Sequence, residues 1–123
     1  MTRILCIEDD EAQRQEIVDA LTSEGFEVLE ADDGDSGLKL ILEEMPDLIL
    51  CDRVMEKKSG YTLLKELRQN HPQTKDIPFV FLTALDDRRD MFATAELQPT
   101  KYITKPIDIR ALLGEIRELT KAD

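Results

Sequence analysis

Three times along the chain, four consecutive residues are all apolar: Ile4-Leu5-Cys6-Ile7, Leu48-Ile49-Leu50-Cys51 and Phe79-Val80-Phe81-Leu82. A strand with water on one side alternates apolar and polar residues. An unbroken short run instead fits a strand buried on both faces, as in a parallel sheet covered by helices. The segments between the runs have helical spacing. Asp10 stands three residues before Gln13, as in a capping box, and Ile17, Val18 and Leu21 line one face of the helix it opens, which Gly25 stops. Phe26 to Leu29 reads as the second strand. Asp35 or Ser36 is expected to cap a second helix, with Leu38, Leu42 and Met45 as its apolar stripe and Pro46 as its end.

Leu48 to Cys51 is the most apolar run and belongs at the centre of the sheet. Leu63, Leu64 and Leu67 mark a third helix, from near Gly60 to His71-Pro72. Pro78 opens the fourth strand, a position where no ladder donor is needed. Met91, Phe92 and Ala95 suggest a fourth helix, after Asp86-Asp87. Tyr102-Ile103-Thr104 reads as a short polar edge strand, and Asp108 caps a fifth helix with Ile109, Leu112, Leu113 and Ile116 inward. Strands that alternate with helices make βαβ units, and right-handed crossovers then give an α/β fold with a parallel five-stranded sheet.

Composition narrows the function. With 16 Lys and Arg against 27 Asp and Glu, the net charge is −11, which would repel phosphates and argues against direct nucleic acid binding. An apolar fraction of 41% is too high for disorder. Residues 1–123 are expected to form a single domain, with no second unit, no repeats and no linker. The two cysteines make neither a disulfide framework nor a zinc spacing. Neither a signal peptide nor a membrane span is legible, so a cytoplasmic protein without membrane insertion is expected.

In an open parallel sheet, ligands gather beyond the carboxyl ends of the strands. Glu8, Asp9 and Asp10 follow the first run, Asp52 the third, Thr83 the fourth and Lys105-Pro106 the fifth. Singly, each has an ordinary structural explanation: Asp10 as a helix cap, Thr83 as a strand residue, Lys105 as a solvated cation. Their convergence on one edge is what points to a site. Two carboxylates about 4 Å apart repel by roughly 4 kcal/mol at an effective dielectric near 20, and one Lys is too little to balance three acids. A hard divalent cation with oxygen ligands resolves the conflict, and Mg²⁺ suits a few carboxylates shared with phosphate oxygens.

The motifs Ile-Glu-Asp-Asp at 7–10, Leu-Cys-Asp-Arg-Val-Met at 50–55 with Gly60 beyond, Leu-Thr-Ala at 82–84 and Tyr-Ile-Thr-Lys-Pro at 102–106 occur in a telling order. Over essentially its whole length the chain resembles the chemotaxis-regulator-like receiver domain of two-component response regulators. The resemblance implies a flavodoxin-like (βα)5 sheet of strand order 2-1-3-4-5 and a phosphorylation-dependent signalling switch. On it, Asp52 is the phosphoacceptor. Mg²⁺ is held by Asp52 and Asp9, by Glu8 through water, and by the Val54 backbone carbonyl. Thr83, Lys105 and the Ala84 backbone bind the phosphoryl group, and Tyr102 is the aromatic whose rotamer follows the switch. Counting forward from the strand end and back from Gly25-Phe26 selects Glu8 and Asp9 among the three acids.

The implied partners are a sensor histidine kinase or phosphotransfer protein and an output protein or effector domain. The latter would read the face made by the fourth helix, fifth strand and fifth helix, where homodimerisation is left open. Catalysis is expected only of the domain's own phosphorylation and dephosphorylation. Val54 and Leu85 flank the site with apolar side chains unable to orient water, which implies slow self-dephosphorylation. The chain departs from the family pattern at Glu56-Lys57-Lys58, where Pro is usual after the Met, and at Gln98-Pro99, where Gly-Ala is usual; Arg53 adds a cation at the rim. Rival readings are a Mg²⁺-dependent aspartyl-phosphate phosphatase, a flavin mononucleotide module and a phosphate-independent interaction module on the same fold. The first lacks a second acid two residues after its nucleophile. The second would set three acids against its phosphate.

Overall fold

The structure is a computed structural model and describes residues 1–52, 55, 58–83 and 96–121. Five parallel strands, β1 (Arg3–Ile7), β2 (Glu27–Ala31), β3 (Leu48–Asp52), β4 (Phe79–Thr83) and β5 (Lys101–Thr104), form one sheet in the order β2-β1-β3-β4-β5. The expected flavodoxin-like order is therefore observed, with β3 central and β5 at an edge.

Every residue of β3 and β4 is buried, and the strand pleat splits these apolar runs between two cores. Ile4, Cys6, Leu48, Leu50, Val80 and Leu82 face helices α1 (Glu11–Ser23) and α4 (Ile109–Thr120). Leu5, Ile7, Ile49, Cys51, Phe79 and Phe81 face α2 (Gly34–Glu44) and α3 (Gly60–Asn70). Cys6 and Cys51 lie on adjacent strands but in opposite cores, so they cannot pair. Burial, with the Glu8 charge next, pushes the Cys6 thiol up to about 12; it behaves as a small hydrophobe.

Local chemistry explains the helix starts. Asp10, Ser59 and Asp108 each accept a hydrogen bond from the backbone N–H three residues on, at Gln13, Thr62 and Ala111. Gly25, at φ 92°, ends the turn after α1. Helix α2 departs from expectation. Its cap is Asp33, which accepts from Ser36 N–H at 2.8 Å, rather than Asp35 or Ser36. Its buried face is Gly34, Gly37 and Ile41, whereas Met45 is the left-handed C-cap and 44% exposed. The cause is close packing: a Cβ on Gly37 would lie 2.6 Å from Ile7 Cδ1. The second strand also starts and ends later than Phe26 and Leu29. The expected fourth helix, with Met91, Phe92 and Ala95, lies outside the described residues.

Gly60 shows how tightly α3 is set against the strand that ends in Asp52. A Cβ there would sit 2.5 Å from the Asp52 carbonyl oxygen, 3.0 Å from the Phe81 ring and 3.2 Å from Cys51 Sγ. The oxygen belongs to the central strand and has little room to retreat. Gly60→Ala is expected to lower stability by about 1–3 kcal/mol. Gly114→Ala, in α4 with open space around it, is expected to raise it by up to about 1 kcal/mol. Urea unfolding of the two variants measures both effects, and equal midpoints would contradict the packing argument.

Candidate functional site

The carboxyl ends of β1, β3, β4 and β5 meet in one crevice. Glu8 follows β1 directly; its N–H bonds the Ala31 carbonyl at 3.0 Å, and its own carbonyl accepts from Arg14 Nη1 at 2.8 Å. Asp52 is the last residue of β3, paired in register with Leu82, so Thr83 lies one step beyond it on the neighbouring strand. Lys105 follows β5, its N–H bonded to the Thr83 carbonyl at 2.7 Å, and precedes a cis bond to Pro106. Residues almost a hundred positions apart are thus brought together by main-chain pairing.

The charges are concentrated and poorly solvated. Glu8 is 1% exposed and Asp52 8%. One carboxylate oxygen from each of Glu8, Asp9 and Asp52 lies within 4.8 Å of the others. Lys105 Nζ donates to Glu8 Oε1 at 3.1 Å, Asp52 Oδ1 at 3.2 Å and Gln13 Oε1 at 3.0 Å. Burial, followed by Asp52, raises the Glu8 carboxyl from its ordinary value to about 7, although Lys105 pulls the other way. For Lys105, burial acts downward but is outweighed by Asp52 and Glu8, so its ammonium is held more firmly. The guanidinium of Arg14 is engaged by the Glu8 carbonyl and by Glu30, 3.1 Å away. The Thr83 hydroxyl is buried and has no hydrogen-bond partner among the described residues, a costly state that a ligand oxygen would relieve.

Asp10 spends its carboxylate on the α1 cap, 3.0 Å from Gln13 N–H, and the clustered acids are Glu8, Asp9 and Asp52. This donor set fits a hard divalent cation: oxygen ligands converge on one point and carry more negative charge than one ammonium balances. Tyr102 lies on β5, half-buried and stacked on Phe81 with ring centroids 5.8 Å apart. Val54 and Ala84, assigned to the site by their backbones, lie outside the described residues, as do Leu85 and Arg53. The contact of Gln13 with Lys105 was not legible beforehand. Only its spacing from the Asp10 cap placed it near the mouth of the sheet.

A family model described as the response regulator receiver domain matches residues 4–117. The chain belongs to the response regulator receiver family. It is 38% identical over 119 residues, 97% of its length, to the response regulator PleD of Caulobacter vibrioides. It is 40% identical over 98% of its length to the transcriptional regulatory protein CpxR of Klebsiella pneumoniae. Over 98% of its length it is also 36% identical to RpaA of Synechocystis, a DNA-binding dual master transcriptional regulator. The receiver spans only 26% of PleD and 50% of each of the other two.

Among solved structures, the receiver domain of a Francisella response regulator is 30% identical with a TM-score of 0.88, each chain being 98% covered. The chemotaxis protein CheY4 of Vibrio cholerae is 25% identical with a TM-score of 0.89, over 97% of this chain and 98% of its own. Receiver domains of two-component systems are signalling proteins. Since relatives that carry this domain include a DNA-binding regulator, the charge argument against nucleic acid concerns this chain's own residues alone. Among the described residues no helix is long and apolar enough to cross a membrane.

Proposed function

We propose that the receiver, residues 1–123, accepts a phosphoryl group on Asp52 from the phosphohistidine of a histidine kinase or phosphotransfer protein, with Mg²⁺ as cofactor. The observation that carries this reading is the convergence of Glu8, Asp9, Asp52 and Lys105 at the end of the central strands. The Thr83 hydroxyl beside them, buried and without a partner among the described residues, supports it. Asp52 supplies the nucleophilic oxygen: a P–O bond forms as the P–N bond of the phosphoimidazole breaks, and solvent returns a proton to the departing ring. Phosphoryl transfer passes through a loose transition state, so the protein's task is to position groups and offset charge.

Asp9 and Asp52 would hold Mg²⁺ directly, Glu8 through water, and Val54 through its carbonyl. When bound, the ion offsets the charge on the transferring oxygens and on the acidic cluster. Lys105 engages one phosphoryl oxygen. Thr83 donates its hydroxyl proton to another, with the Ala84 N–H assisting. Movement of Thr83 toward the phosphoryl group changes the packing behind it, where Tyr102 stacks on Phe81. The edge formed by β5 and α4 is the surface an output protein or effector domain, or a second copy, would read. Under this reading the domain contacts proteins rather than DNA and works in the cytoplasm.

Intact-mass measurement after incubation with acetyl phosphate is the direct test. One phosphoryl group is expected in the presence of Mg²⁺ and none in EDTA. A chain that stays unmodified with Mg²⁺ present, while another receiver is labelled alongside, would remove the basis for the reading.

A further inference from the structure

Residues 8–10 join β1 to α1, and two of them, Glu8 and Asp9, belong to the acidic cluster. A carboxylate holds a metal well only if the backbone beneath it is fixed, since a rotating peptide unit carries the side chains on either side with it. The chain enters this turn with Glu8 N–H on the Ala31 carbonyl at 3.0 Å and leaves it with Arg14 N–H on the Asp10 carbonyl at 2.9 Å. The peptide unit between Glu8 and Asp9 lies between these ties. Its carbonyl oxygen is held by a side chain: Arg14 Nη1 donates to it at 2.8 Å.

Arg14 reaches back from the first turn of α1, and its own direction is set by β2. Its Nε donates to Glu30 Oε1 at 3.1 Å, and the same oxygen accepts from Gln15 Nε2 at 2.7 Å. The Arg14 side chain is only 14% exposed. A guanidinium is planar, with donors in fixed directions, so one bond to β2 and one to the turn tie the β1–α1 connection to the sheet. Charge alone gives Arg14 no reason to be here, because a cation beside a cluster that takes Mg²⁺ opposes the ion. The Glu8 carboxyl answers to burial, Asp52 and Lys105, whereas Arg14 engages the main-chain oxygen of the same residue.

We propose that Arg14 is a positioning residue for the metal site: by holding the Glu8 carbonyl it fixes the peptide unit from which the Glu8 and Asp9 carboxylates reach Mg²⁺. This rests on the Mg²⁺-dependent reading above and names a residue outside the acidic cluster on which the site depends.

The two effects of Arg14 have opposite signs, which makes the role measurable. Removing a nearby cation should tighten Mg²⁺ binding by at most about three-fold at physiological salt. Losing a group that orients metal ligands weakens binding by about 10–100-fold. The full chain is titrated with Mg²⁺ alone and followed by amide NMR, with urea midpoints recorded in EDTA. Arg14→Gln is expected to bind Mg²⁺ about ten-fold more weakly than wild type. Glu30→Ala leaves the turn untouched and removes only the support of the guanidinium; it is expected to bind about three-fold more weakly. Glu30→Gln loses the same charge but keeps an acceptor, and its affinity should stay within about two-fold of wild type.

Equal or tighter Mg²⁺ binding by Arg14→Gln, whatever its urea midpoint, overturns the positioning role and leaves the acceptor reading standing. If Arg14→Gln does not fold, equal affinities in Glu30→Ala and Glu30→Gln overturn it in the same way. A wild-type chain whose Glu8, Asp9 and Asp52 amides do not respond to Mg²⁺ overturns the metal site and the role of Arg14 together.

Discussion

Asp52→Asn is expected to reduce phosphoryl incorporation from acetyl phosphate to background, with no partial activity left. An amide oxygen is a poor nucleophile and cannot form a stable acyl phosphate. The neighbouring acids are not substitutes. Glu8 is buried and follows a strand fixed on both sides. Asp9 stands on the exposed side of the cluster, where its role under this reading is to hold the metal. Loss of labelling has to be separated from loss of folding, and the electrostatics provide the control. Asn keeps the shape and an acceptor oxygen for Lys105, and the repulsion it relieves at Glu8 is set against the Lys105 ion pair it gives up, so the variant should unfold cooperatively with a urea midpoint close to that of wild type in EDTA. Undiminished mass gain in Asp52→Asn, or a phosphopeptide lacking residue 52, would place the acceptor elsewhere.

The second large effect is on stability. Burial and Asp52 raise the Glu8 carboxyl from 4.5 to about 7 in the folded chain, while in the unfolded chain it titrates near its ordinary value. Between those two values the folded state holds a proton that the unfolded state has lost. Stability then falls as pH rises. The contribution is fully present below about pH 4.5, declines through the window and is gone above about pH 7. The shift corresponds to a cost on the order of 3 kcal/mol at pH 8. Lys105 already acts against the shift and does not cancel it.

Glu8→Gln keeps the shape and the acceptor oxygen without the charge. In EDTA at pH 8 it should therefore be more stable than wild type by about 2–3 kcal/mol, or roughly 6–12 °C in Tm. That advantage should shrink toward zero near pH 4.5. Millimolar Mg²⁺ should raise the Tm of wild type by mass action and raise that of Glu8→Gln less. A variant less stable than wild type at pH 8 in EDTA, or an advantage that grows as pH falls, would contradict this account of the cluster.

What could be read in advance divides along physical lines. Strand burial was legible because an unbroken apolar run leaves no face for water, and β3 and β4 are buried at every residue. The caps at Asp10 and Asp108 were legible because capping joins residues three apart. Helix α2 and its end before Pro46 were legible, and Leu38 packs against the core as expected, but the rest of its buried face was misread for the opposite reason. Its buried face is made largely of Gly34 and Gly37, and glycine carries no apolar side chain to register in a hydrophobic stripe. Its burial follows from Ile7, thirty residues earlier in the chain, pressing where a Cβ would be.

The site shows the same division. That acids, a hydroxyl and an ammonium follow the strand ends is a property of the order of residues, as is the excess of acids over cations among them. The separation of Asp10 from Glu8 and Asp9 was legible too, because a helix cap is a local feature; that Glu8, Asp9 and Asp52 converge is settled by contacts. The buried Thr83 hydroxyl and the Lys105 ammonium shared between Glu8, Asp52 and Gln13 exist only once parallel pairing has brought four strand ends side by side. The sequence by itself determined the kind of layers and the chemistry at their edge, because both depend on near neighbours. Distances and solvation among groups up to 97 positions apart were decided by the tertiary structure alone, since no local preference acts over such a span.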